Sequence, residues 1–215
     1  MLTNERIAYF FLPLALALLG LSACKEDDNT VEEFPNWQAR NETYFTQAYQ
    51  QALTASATNP NVKVLHAWSL PASRNQPTDF VVVKVLETGT GTIAPLYTDT
   101  AMVHLQGRLI PSTTYTKGKV FVQTWQTETF SPTSNAPQKV SNSQWGVGLG
   151  TALLHMHKGD RWQITVPAAL TTGIDSRYGI PANSTLVFDV TLAGSYHAGK
   201  TSAQLQAKKL IGATE

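Results

Sequence analysis

From Asn36 to about Ser56, Trp37, Arg40, Tyr44, Phe45, Ala48, Tyr49, Ala52 and Leu53 recur at intervals of three and four, the spacing of a helix with one aromatic face. Asn36 stands where an N-cap belongs, and Asn59-Pro60-Asn61 ends the element. The period then changes to two. Val62 to Leu70 alternates, and Phe80 to Leu86 is a continuous β-branched run. Ala101 to Ile110 alternates again, with Ala101, Val103, Leu105 and Gly107 on one face and Met102, His104, Gln106 and Arg108 on the other. Short strands are expected over Gly118 to Trp125 and Gln138 to Ser141. A second helix is expected over Leu149 to Lys158, burying Leu149, Ala152, Leu153 and Met156 and closed at Gly159. Trp162, Ile164 and Val166 alternate on the next strand, and Thr185 to Leu192 closes the sheet. Strands outnumbering helices in this order imply an α+β fold, an antiparallel sheet wrapped around one short helix with a helical extension ahead of it.

The first residues change where such a domain is expected to work. Ile7 to Leu21 is a short apolar run after a polar start, and it ends in Leu21-Ser22-Ala23-Cys24, the pattern of a lipoprotein signal peptide whose cysteine becomes the lipidated first residue. Pro13 and the absence of a basic flank argue against a permanent span. Residues 1–23 are therefore read as the signal peptide and 24–35 as an acidic linker. Residues 36–78 follow as a helical extension, 79–194 as the principal domain and 195–215 as a polar, flexible or helical tail. A membrane partner reached through lipid on Cys24 places the protein in the cell envelope, at the outer membrane. Lys25-Glu26-Asp27-Asp28 resembles the lysine-plus-acidic tag of Bacteroidota surface lipoproteins, or else is a charged spacer.

Composition narrows the chemistry. Cys24 is the single cysteine, which excludes an intramolecular disulfide and a multi-cysteine metal site. A net charge of +1 with 14% charged residues provides no field for a nucleic-acid partner. His155 and His157, two apart on a helix, point different ways and share no metal. Gly146, Gly148 and Gly150 lack the preceding strand and following acidic residue of a dinucleotide site.

Leu153-Leu154-His155-Met156-His157-Lys158-Gly159-Asp160-Arg161-Trp162, then Val166-Pro167, then Gly179-Ile180-Pro181-Ala182-Asn183-Ser184-Thr185-Leu186-Val187-Phe188-Asp189-Val190, resembles the carboxy-terminal half of FKBP-type peptidyl-prolyl isomerases. Val103-His104-Leu105-Gln106-Gly107-Arg108-Leu109 resembles the strand that carries one pocket aromatic in that family, and the likeness runs roughly from Phe80 to Gly194. It implies a pocket with Phe121 as wall aromatic, Ile180 as rim aliphatic and Phe188 as the aromatic at the back. Val122 falls where the family has an aspartate, and Leu105 where it has a tyrosine. Leu149, in Trp145-Gly146-Val147-Gly148-Leu149, stands for the floor tryptophan, and the Gly146 backbone N–H for the donor to a substrate carbonyl. Thr172, in Thr171-Thr172-Gly173, stands for a tyrosine, with Tyr178 as a nearby phenol.

The implied catalytic set is Leu105, Phe121, Thr172 and Phe188, and the implied substrate-binding set is Val122, Trp145, Gly146, Leu149, Tyr178 and Ile180. The activity implied is peptidyl-prolyl isomerisation of proline-containing polypeptides, with neither cofactor nor metal, because a dry hollow favours the twisted, less polar imide. Two competing expectations are a weakly active or inactive peptide-binding chaperone module on the same scaffold, and an accessory subunit docking a partner through Trp37, Tyr44 and Tyr49.

Overall fold

The computed structural model describes residues 32–127, 129–174 and 178–197, so Cys24, the signal segment and the tail beyond His197 lie outside the described residues. Seven strands form one antiparallel sheet: β1 Val62–His66, β2 Phe80–Glu87, β3 Thr100–Leu109, β4 Val120–Gln123, β5 Gln138–Ser141, β6 Arg161–Val166 and β7 Leu186–Tyr196. Their order is β1-β2-β6-β7-β3-β4, with β5 also paired to β3. Among the described residues two α-helices accompany them, α1 Trp37–Ser56 and α2 Gly146–Leu153.

Alternation decides which face each helix covers. Val81, Val83, Val103, Leu105, Ile164, Val166, Leu186, Phe188 and Val190 point to one side of the sheet, where α2 packs with Leu149, Ala152 and Leu153 to form the core. The intervening residues point the other way, and α1 lies there. Phe45 and Tyr49 are buried, and the Tyr49 ring packs on Phe80 with centroids 5.6 Å apart. Asn41 fastens the helix to the sheet, because its Oδ1 accepts the Thr185 backbone N–H at 2.7 Å while its Nδ2 donates to the Trp37 carbonyl. The Trp37 indole donates to Ser184 Oγ at 2.9 Å. Trp37 and Tyr49 are thus committed to the protein's own sheet rather than to a docked partner.

Several expected boundaries shift, each for a packing reason. Asn36 is not a side-chain cap: it takes a left-handed conformation, φ 50°, with no cap bond from its side chain. The strand expected to reach Leu70 stops at His66, and the extension thereby supplies the edge strand β1, paired to β2. The helix expected over Leu149 to Lys158 instead starts at Gly146 and ends at Leu153. Glycine is a poor helix former in isolation, but here a Cβ on Gly148 would stand 2.2 Å from Val166 Cγ1. Close approach of α2 to β6 therefore outweighs propensity. At the other end β7 continues to Tyr196, taking up the first residues assigned to the tail.

Candidate active site

The ring cluster begins at a bulge. Register matches Gly107 to Val122 and Arg108 to Val120, which leaves Phe121 as an extra residue on β4. Such a bulge bends its strand and re-aims a side chain. Phe121 and Val122 both come down on Gly107: a Cβ there would lie 2.4 Å from Phe121 Cζ and 2.8 Å from Val122 Cγ1. Any larger residue on β3 at this point would push the wall out.

Phe188 is opposite Gly107 on β7 and is fully buried. Its ring meets Phe121 edge to face, with centroids 5.8 Å apart at 86°. Trp145, immediately before α2, stands 6.2 Å from each of them, and Tyr178 packs 4.6 Å from the indole. Offset and edge-on pairs of this kind contribute about 0.5–1.5 kcal/mol each beyond the area they bury. Four rings from β4, the α2 entry, the loop before β7 and β7 itself thus converge.

The remaining expected residues sort by depth. Leu105 and Leu149 are 0% and 1% exposed, so they support the rings from below and present no surface. Val122, Tyr178 and Ile180 are half-buried against the same core and form the rim. Thr172 is exposed, while its neighbour Thr171 turns inward and donates to the Ala168 carbonyl at 2.8 Å. The phenol nearest the rings is that of Tyr178.

Gly146 holds the turn that enters α2. Its φ is +78°, a region open to glycine and costly to other residues. A Cβ there would also lie 2.7 Å from the Leu170 carbonyl oxygen, so the turn after β6 closes directly over it. Its backbone N–H donates to Ser143 O at 3.3 Å and is thereby engaged within its own turn. The Trp145 indole N–H, by contrast, is buried with no hydrogen-bond partner among the described residues.

The resemblance puts Leu149 in the place of the floor tryptophan; Leu149 is buried, and the ring beside Phe121 and Phe188 is that of Trp145, just before α2.

On the opposite face of the sheet Arg161 grips both oxygens of Asp189 at 3.0 and 2.8 Å and reaches Glu87 at 3.2 Å. Hydrogen bonding to Asp189 and attraction to both carboxylates raise the guanidinium pKa despite burial. His104, also on that face, is pushed below its ordinary value by burial and lies 5.1 Å from the Phe130 ring. A polar cavity of about 350 Å³ between α1 and this face, lined by Tyr44, Gln106, Arg108 and Gln163, is separate from the ring cluster. Among the described residues no three His, Cys, Asp or Glu side chains gather to hold a metal.

Four uncharged rings, with Trp145 and Phe188 buried and Phe121 and Tyr178 half-buried, define an apolar site of the class that takes apolar peptide segments rather than ions or nucleotides. Residues 91–193 match the family model described as FKBP-type peptidyl-prolyl cis-trans isomerase, and the domain they span belongs to that family. The chain is 28% identical over 195 residues to the macrophage infectivity potentiator of Trypanosoma cruzi, an alignment covering 89% of this chain and 87% of that protein. It is 32% identical over 127 residues to the FKBP-type peptidyl-prolyl cis-trans isomerase FkpA of Escherichia coli K12, covering 59% of this chain and 42% of FkpA. The crystal structure of FkpA from Escherichia coli superposes with a TM-score of 0.51 at 23% identity, covering 92% of this chain and 75% of that one, a likeness of fold.

Proposed function

We propose that this chain is a peptidyl-prolyl cis-trans isomerase that works on proline-containing segments of extracytoplasmic proteins. The observation that carries the reading is the convergence of Phe121, Trp145, Tyr178 and Phe188 inside the segment that belongs to the isomerase family.

Rotation about an X-Pro bond faces a barrier of roughly 18–20 kcal/mol because the amide loses its resonance when twisted. The planar imide is polar and well solvated by water, while the twisted one carries less charge separation. An aromatic hollow that excludes water raises the first relative to the second, which lowers the barrier without a nucleophile or metal. Phe121, Trp145 and Phe188 form the dry wall in this reading, with Leu105 and Leu149 holding them from below. Val122, Ile180 and Tyr178 clasp the prolyl ring at the rim, Gly146 sets the turn, and Thr172 stands at the mouth.

Lipidation of Cys24 and an outer-membrane location belong to the same proposal; the apolar run before that cysteine supports them. A protease-coupled isomerisation assay on the purified full chain tests the activity. Acceleration that falls on truncating the pocket rings is expected; no acceleration above the uncatalysed rate, with aggregation of an unfolded client still suppressed, would replace this reading with a chaperone. Metabolic labelling with a tritiated fatty acid tests the anchor, label on the wild type and none on Cys24→Ala being the expected result.

A further inference from the structure

We propose that the indole N–H of Trp145, and not the backbone N–H of Gly146, is the donor that holds a substrate backbone carbonyl beside the prolyl ring. The assignment rests on the isomerase reading of the same hollow and names the group that positions the substrate there.

The donors around the rings decide it. The Gly146 N–H already serves Ser143 O, in a turn locked by the left-handed backbone and by the Leu170 carbonyl above it. Releasing that donor would mean rebuilding the entry to α2. The Thr172 hydroxyl faces solvent, where water competes for it. Trp145 Nε1 is buried among apolar groups with no acceptor among the described residues, although its residue is only 3% exposed. Buried N–H groups without partners are rare, because nothing replaces the water they lose. An arriving carbonyl would supply that missing partner in a medium of low dielectric, where the bond is strengthened.

Position supports the same assignment. The indole is held by rings on three sides, Phe121, Phe188 and Tyr178, so the donor is ordered before the substrate arrives. Trp162 also has an unpartnered indole, but it makes none of these ring contacts and belongs to the interior beneath β6. Tyr178 is only half-buried, so a prolyl ring reaches the indole by displacing a ring already partly in solvent.

A carbonyl flanking the reacting imide keeps its charge while the bond twists. Its hydrogen bond therefore holds ground state and transition state alike, and it acts on KM rather than on kcat.

The test uses the full chain labelled with ¹⁵N. Five tryptophans give five indole signals, and Trp145→Phe identifies the one in question. On titration with a blocked tetrapeptide containing Ala-Pro, the Trp145 indole proton is expected to move downfield and to exchange more slowly with solvent. Replacing Trp145 with the benzothienyl isostere, which keeps the ring and lacks the N–H, is expected to raise KM by roughly three- to tenfold, the size of one neutral hydrogen bond, with kcat held within about twofold.

An unmoved Trp145 indole while the Phe121 and Tyr178 ring signals shift, or an isostere with unchanged KM, overturns the assignment and leaves the isomerase reading standing. Neither acceleration nor any shift on adding peptide overturns both.

Discussion

Gly146→Ala isolates what the close turn at the mouth of the hollow contributes. Two costs add. The backbone at φ +78° disfavours any residue with a Cβ by about 1–2 kcal/mol. The new methyl would also stand 2.7 Å from the Leu170 carbonyl oxygen and 3.1 Å from Thr171 Cα, both of them main-chain atoms that no rotamer change can move aside. Shifting that turn is an overpacking event, worth about 1–3 kcal/mol. The expected loss is therefore about 2–5 kcal/mol.

Gly173→Ala provides the matching control, since its φ is +90° yet no heavy atom lies within 4 Å of a Cβ there. It should lose only the backbone share, about 1–2 kcal/mol. Urea unfolding reads both, as a fall in midpoint at unchanged slope. Gly146→Ala should also lose isomerase activity at temperatures where it stays folded, because Leu170 and the turn it anchors would be displaced from beside Trp145. Equal losses for the two variants would refute the argument that contact with the loop, over and above backbone conformation, demands glycine at 146.

Three further outcomes follow from particular contacts. Phe121→Leu removes the edge-on partner of Phe188 and opens the wall, and should lower kcat/KM by about three- to tenfold in the coupled assay, the size of one aromatic pair. Asn41→Ala strands the buried Thr185 N–H and loosens α1 from the sheet; a loss of about 1–3 kcal/mol is expected by denaturant titration, with the near-ultraviolet signal of Trp37 weakened. His104 is 2% exposed and burial holds its folded pKa below the ordinary 6.5, so the unfolded chain binds a proton that the folded chain refuses. Stability is then complete above pH 6.5 and falls as pH drops below it, by at most about 1.4 kcal/mol per pH unit, until His104 is protonated in the folded state too. His104→Leu should flatten that limb, and an unchanged pH profile would contradict the burial argument.

Much of the architecture was legible because it depends on spacing alone. The continuous β-branched run at Phe80 to Leu86 and the alternating run at Ala101 to Ile110 became β2 and β3 nearly residue for residue, and the aromatic stripe of Trp37, Phe45 and Tyr49 became the buried face of α1. The start of α2 was not legible, since glycine is a poor helix former and Gly148 lies in the helix where α2 presses against Val166. In the site, Phe121 and Phe188 could be placed by motif and meet as rings. The packing of the Trp145 ring on Phe188 depends on how a turn is packed, and so does the engagement of the Gly146 N–H by Ser143.

Alternation and composition by themselves determined an antiparallel sheet with a helix on it and excluded an intramolecular disulfide, because hydrophobic period and residue type act over a few positions, whereas the apolar pocket was implied only by the family resemblance. Only the tertiary structure decided which rings meet, which donor is left unpaired among the described residues and which face α1 covers. Those outcomes are set by close contacts between segments tens of residues apart, such as Gly107 with Phe121 and Gly146 with Leu170, where a single Cβ decides what fits.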